Sequence, residues 1–213
     1  MAKKVKKPTK TNVIFILDES GSMSSTASDV RGGFNTYVEK LKGDGNTYTL
    51  TAIKFGSNVR PLFANLPLEQ VPVLTHENYM PLDSTALYDA IGHALATAEK
   101  EWGTEAKPYG EDPVICITMT DGFENASREF GKDAIVSKIK QREEAGNWTF
   151  AYMGADQDAW AAASQLGFAQ GNVMSYASAA TGSVFDGLVK ATSATATRGT
   201  QSRTFFGGGQ NQS

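Results

Sequence analysis

Asn12-Val13-Ile14-Phe15-Ile16-Leu17 runs straight into Asp18-Glu19-Ser20-Gly21-Ser22, and that junction sets how the rest of the chain is read. The core of this run, Val13 to Ile16, is β-branched and aromatic, with no alternation of polar and apolar positions. Such a run predicts a strand buried on both faces, as in a parallel sheet covered by helices. The polar, glycine-containing stretch after it ends the strand. A second run of the same kind, Val114–Met119 (VICITM), is followed by Thr120-Asp121-Gly122-Phe123-Glu124-Asn125.

Helical and extended patterns alternate outward from these two runs. Ser24–Lys42 carries Val30, Phe34, Tyr37, Val38 and Leu41 at helical spacing and stops at Gly43-Asp44-Gly45. Tyr48–Phe55 alternates as a strand. Val59–Leu62 follows across Gly56-Ser57-Asn58 as a hairpin, which places one antiparallel strand at a sheet edge. Residues 64–84 contain Pro67, Pro72 and Pro81 and read as loop with one short helical turn. Ala86–Trp102 reads as an amphipathic helix with Leu87, Ile91, Leu95 and Ala98 on one stripe. Further helices are expected over Lys132–Ala145, Gln157–Leu166 and Ser183–Ala194, and further strands over Thr149–Met153 and Asn172–Tyr176. The sum is an α/β fold: a doubly wound, mostly parallel central sheet with one antiparallel edge strand and helices on both faces.

Composition narrows the function. The chain has 213 residues, 20 Lys and Arg against 23 Asp and Glu, two histidines and one cysteine. Cys116 alone excludes a disulfide framework and a cysteine-based zinc site. Cys116 reads as a small core residue, His93 as partly buried, His76 as surface, and Trp102, Trp148 and Trp160 as packing anchors. The net charge of -3 argues against a general nucleic-acid surface. Only the basic stretch at residues 1–11 invites an anionic partner, and it otherwise reads as a solvated tail. No apolar run reaches the length of a secretory or membrane segment. The expectation is a cytoplasmic protein, or one assembled from the cytoplasm into a particle. The folded domain is expected over 12–196, with residues 197–213 as a flexible Gly/Gln/Ser-rich tail.

In an open α/β sheet, ligands bind beyond the carboxyl ends of the strands. Three segments should converge there: Asp18 to Ser24, Asp83-Ser84-Thr85, and Thr120 to Asn125. They supply the carboxylates of Asp18 and Asp121 and the hydroxyls of Ser20, Ser22 and Thr85. The set is all oxygen, which suits Mg²⁺ first, with Mn²⁺ or Ca²⁺ possible. Asp18, Ser20 and Ser22 alternate, so in an extended exit from the strand their side chains point the same way. Gly21 permits the turn that follows. Two carboxylates balance one divalent ion, and an exchangeable position remains for a partner's carboxylate.

These residues resemble the von Willebrand factor type A (vWA) domain. The resemblance rests on Asp18-x-Ser20-x-Ser22 after a hydrophobic strand, Ser84-Thr85-Ala86-Leu87-Tyr88-Asp89-Ala90-Ile91, and Thr120-Asp121-Gly122 after a second hydrophobic strand. It covers roughly residues 12–195. It implies a metal-ion-dependent adhesion site (MIDAS), with Ser20, Ser22 and Thr85 as hydroxyl ligands. Asp18 and Asp121 would bind directly or through water. It also implies a protein partner whose Glu or Asp completes the metal shell, and no catalysis. The family's movement of the last helix would fall at about Ser183–Ala194. Asp83 departs from the small residue many members carry at its position. It is expected to cap the helix that starts near Ala86, or to act as a nearby acceptor. Asn125 is expected to brace its loop and Glu124 to tune the local potential.

Two other readings compete. A phosphoryl-transfer hydrolase could use Asp18 as nucleophile, but its general acid/base aspartate would fall where Ser20 stands. No Walker-type phosphate loop and no nucleophile elbow is present. A structural subunit of a larger assembly, such as a phage particle or secretion apparatus, is compatible with the same fold. Oligomeric state is not fixed by the sequence.

Overall fold

The computed structural model describes residues 10–102, 112–155, 159–176 and 181–207. Most of the expected N-terminal tail, residues 208–213 of the expected C-terminal tail, the Trp102 side chain and the first residues of the expected 157–166 helix lie outside them.

Continuous apolar runs become the central strands. β1 (Thr11–Asp18) is buried along its whole length, and so is β4 (Val114–Thr120). They pair in parallel, with Leu17 opposite Met119. β2 (Tyr48–Phe55) lies on the other side of β1, also parallel. β3 (Val59–Pro67) pairs antiparallel with β2 and forms one edge. β5 (Trp148–Ala155) and β6 (Val173–Tyr176) extend the parallel sheet to the other edge. The order is β3-β2-β1-β4-β5-β6.

Alternate residues of the buried strands feed two cores, one on each face. Phe15 lies among Phe34, Tyr37 and Phe185, beneath α1 (Ala27–Lys42) and α5 (Thr181–Arg198). Ile14 and Ile16 face the other way, toward α2 (Leu87–Trp102), α3 (Lys132–Glu144) and α4 (Ala159–Gln165). Close approach on each face depends on a glycine. A Cβ on Gly33 would enter the Phe185 ring, and one on Gly92 would enter the Phe130 ring.

Two segments depart from the expectations. β3 continues to Pro67 rather than stopping at Leu62. Its register shifts against β2, and Asn65 has a left-handed backbone with φ of 51°. An edge strand tolerates prolines that a central strand would not, so Pro67, one of the three prolines that suggested a loop, stands at the end of a strand, while Pro72 and Pro81 do lie outside any strand. Only Leu68–Gln70 forms the short helical turn.

The second departure is the C-terminal stretch. α5 runs to Arg198, beyond the expected boundary at 196, and residues 199–207 of the expected flexible tail pack as a strap. Asn172 is fully buried and donates to the carbonyls of Phe150 (2.9 Å) and Ser202 (2.8 Å) while accepting from the amide of Phe205 (2.8 Å). Thr149 accepts from the Ser202 amide at 2.9 Å, and the Phe205 side chain is buried. The composition of the stretch suggested solvation, but one aromatic anchor and an amide across the chain fix it.

Candidate functional site

The register of β1 against β4 places Asp18 beside Thr120 and Asp121 at the carboxyl end of the sheet. Asp18 is 1% exposed. One carboxylate oxygen accepts from the Ser20 amide at 2.7 Å, which tightens the exit from β1 into an Asx-type turn. The other accepts from the Thr120 hydroxyl at 2.5 Å. Ser22 donates to Asp121 at 2.5 Å, which leaves Ser20 as the donor to Ser22 across 3.0 Å. An unbroken polar chain therefore runs from Asp18 through Ser20 and Ser22 to Asp121.

Thr85 reaches the same place from the third segment. A Cβ on Gly122 would stand 3.0 Å from its hydroxyl and 3.7 Å from that of Ser22. The Gly21 amide donates to the Asp83 carbonyl at 3.0 Å, joining the first loop to the third. Asn125 accepts from the Thr85 amide at 2.9 Å, and its own amide donates back to the Thr85 carbonyl at 3.0 Å. All five predicted donors thus lie in one cluster at the sheet's rim.

Electrostatics at this cluster are unbalanced. Burial pushes the Asp18 carboxyl up to about 6, and the charge of Asp121 pushes the same way. Hydrogen bonds from Thr120 and Ser20 hold it down in part. A cation between the two carboxylates would remove this penalty. Among the described residues no three His, Cys, Asp or Glu side chains gather as a metal-holding group. The present donor set is instead two carboxylates with three hydroxyls, a composition suited to a hard divalent ion.

The surrounding residues hold the loops in place. Tyr79, fully buried, donates to the Asp18 carbonyl at 2.5 Å. Glu19 accepts from Lys54 and from the Met80 amide, both at 2.8 Å, and its carbonyl accepts from Leu82. The aperiodic segment after β3 is thereby fastened under the site.

Asp83 does not cap α2. Its backbone is left-handed, with φ of 77°, and the first turn of the helix is capped from another loop. Glu124 accepts from the Tyr88 amide at 2.9 Å, and Ser127 accepts from the Asp89 amide at 3.1 Å. Asp89 answers by accepting from the amides of Arg128, Glu129 and Phe130. The loop after β4 and the start of α2 are clamped in both directions. Sequence reasoning missed Thr120, Tyr79, Ser127 and Asp89 in these roles. Thr120 alone carried a signal, as the last residue of a buried strand beside a candidate ligand.

No protein-family model and no curated protein matches the sequence. Solved structures match in fold. Proximal thread matrix protein 1 from the mussel byssus, in the structure described with a zinc-occupied MIDAS motif, superimposes with a TM-score of 0.58 at 15% identity. The match covers 84% of this chain and 47% of that one, so this chain spans about half the mussel protein's length. The vWF domain of the type V pili tip protein Mfa5 from Porphyromonas gingivalis gives a TM-score of 0.63 at 10% identity, covering 86% and 95%. Manganese-loaded TRAP protein from Plasmodium vivax gives 0.56 at 17% identity, covering 83% and 72%. Identities this low speak for architecture alone, and the architecture they share with this chain is a vWA-like α/β fold.

Proposed function

We propose that this chain is a divalent-cation-dependent protein-binding module and not an enzyme. Asp18, Ser20, Ser22, Thr85 and Asp121 hold Mg²⁺, with Mn²⁺ or Ca²⁺ as substitutes, and a partner's Glu or Asp completes the shell. The bound ion supplies a Lewis-acidic position that attracts a carboxylate. Asp18 and Asp121 set the local charge, the three hydroxyls supply neutral oxygens, and Thr120 and Asn125 orient the ligands and their loop. Asp83 and Glu124 add negative charge at the margin.

The observation that carries this reading is the polar chain from Asp18 to Asp121, with Thr85 beside it. The structures described with zinc at a MIDAS motif and loaded with manganese share the fold and so support the metal choice by analogy. A nucleophilic role for Asp18 is disfavoured, because both its oxygens accept hydrogen bonds and the side chain is buried. No helix among the described residues is long and apolar enough to cross a membrane. The proposed setting is cytoplasmic, or a particle assembled there. The binding unit is taken as residues 12–196 with the strap that follows.

Calorimetry with MgCl₂ and MnCl₂ tests the metal. Wild type should give a saturable heat that Asp18→Ala/Asp121→Ala protein lacks, and equal heats would overturn the reading. Affinity purification with and without EDTA then tests the partner. A protein released by EDTA and lost with Thr85→Ala is the expected result.

A further inference from the structure

Glu19 is the neighbour of Asp18 in the chain, and its carboxylate pairs with Lys54 of β2 at 2.8 Å. The two side chains are only 10% and 14% exposed. An ion pair in water contributes little, whereas breaking an enclosed one leaves an uncompensated charge. The further partners of this pair are backbone groups of residues 78–82. The Lys54 ammonium donates to the Asn78 carbonyl and the Glu19 carboxylate accepts from the Met80 amide, both at 2.8 Å. The Glu19 carbonyl accepts from the Leu82 amide at 2.8 Å.

That stretch leads directly into Asp83-Ser84-Thr85. The left-handed backbone of Asp83, with φ of 77°, is one that a residue with a side chain keeps only where its surroundings hold it. The bond from the Gly21 amide to its carbonyl and the Glu19 junction before it supply that hold. The bend is also packed on the turn between β2 and β3, where a Cβ on Gly56 would stand 3.1 Å from the Leu82 carbonyl. Thr85 therefore reaches the donor cluster from a strained bend with one enclosed ion pair at its entrance, while Asn125 holds it from the other loop.

We infer that the Glu19–Lys54 pair is a positioning device that sets the reach of Thr85 toward the ion and makes the site prefer Mg²⁺ over Ca²⁺. This inference rests on the metal reading above. Mg²⁺ demands near-ideal octahedral geometry at about 2.0–2.1 Å, and Ca²⁺ accepts a flexible shell at about 2.3–2.6 Å. A Thr85 segment free to drift costs Mg²⁺ more than Ca²⁺. The charges of the pair act differently, because their field treats the two ions alike. Loss of the Glu19 charge leaves Lys54 positive and disfavours either ion, and loss of the Lys54 charge leaves Glu19 negative and favours either. Arg60, Glu77 and Asp83 line the cleft beside the pair but are exposed, so salt screens them.

Calorimetry of the full chain with MgCl₂ and with CaCl₂ provides the test, on wild type, Glu19→Gln, Lys54→Met and the double variant Glu19→Met/Lys54→Met. All three variants should lose about tenfold in Mg²⁺ affinity, the size expected when a group that orients a metal ligand is removed, and markedly less in Ca²⁺ affinity. The double variant replaces the pair with apolar groups, which keeps the fold stable and separates positioning from folding. In EDTA, amide exchange at Met80 and Leu82 should quicken in each variant, while that at Phe205 in the Asn172 knot stays as in wild type. Arg142→Met breaks another enclosed pair, with Glu99, beside Trp148 at the start of β5. It should lower the melting temperature and leave the Mg²⁺ to Ca²⁺ ratio unchanged. Equal losses for both ions in Glu19→Gln with equal gains in Lys54→Met would show the field of the charges alone and overturn the inference. An unchanged ratio in all three variants would overturn it too, whatever their melting temperatures, and would leave the metal reading standing. Absence of a Mg²⁺ heat in wild type would overturn both.

Discussion

The two ends of the sheet are tied by the same device and left in opposite states. At the amino end, Asn172 gathers Phe150, Ser202 and Phe205 around one buried amide. At the carboxyl end, Asp18 gathers the Ser20 amide and the Thr120 hydroxyl around one buried carboxylate. The amide is neutral and its bonds close the knot. The carboxylate accepts comparable bonds and still carries a charge that burial penalises. A buried polar knot that is satisfied reads as structure, and one that is bonded but uncompensated in charge reads as a place for a ligand.

Paired substitutions give the sharpest break in that comparison. Asp18→Asn removes the charge but keeps the shape. In EDTA its melting temperature should equal or exceed wild type, while the calorimetric Mg²⁺ response is abolished. Asn172→Ala should do the reverse, orphaning two carbonyls and an amide. A cost of about 3 kcal/mol is expected, or roughly 6–12 °C in melting temperature, with Mg²⁺ affinity unchanged. If Asp18→Asn instead melts far below wild type and Asn172→Ala is neutral, the contrast between the two ends fails.

A smaller effect sharpens the carboxyl end. Gly122→Ala places a methyl 3.0 Å from the Thr85 hydroxyl, tighter than ordinary contact. Mg²⁺ affinity by calorimetry should fall about tenfold, roughly one ligand's displacement of about 1.4 kcal/mol, with little change in melting. An unchanged affinity would remove Thr85 from the ligand set. The smallest effect concerns the middle of the sheet, between the two knots. Burial pushes the Cys116 thiol up to about 12, so native protein should not react with a thiol reagent. Labelling should appear only at the rate of unfolding, with or without Mg²⁺.

Much of this arrangement was legible because its signals are local. The run Val13–Leu17 in β1 has no polar residue and the run in β4 only Thr118, so two-faced burial followed directly, and with it the end of the sheet where ligands gather. The gathering of Asp18, Ser20 and Ser22 was read from an extended exit, whereas the chain turns into a 3-10 helix over Gly21–Ser25 and that turn carries Ser22 toward Asp121. Partners supplied from far along the chain could not be read from spacing. Tyr79 meets Asp18 across 61 positions, and Phe205 meets Asn172 across 33. Asp83 misled for a different reason. A helix start can be capped by its own preceding residue or by another loop, and only the fold shows that Glu124 and Ser127 do so. Pro67 was read as punctuation, yet the rule that demotes proline in strands is relaxed at an edge.

That edge has a consequence for assembly. β3 carries two prolines, a shifted register and a left-handed residue, and β6 at the far margin is only four residues long. Neither flank offers a long, regular template on which another copy's strand could be added. If copies of this chain are strung together in a filament or shell, the joints must be made by helices and loops, and the sheet itself stays private to each copy.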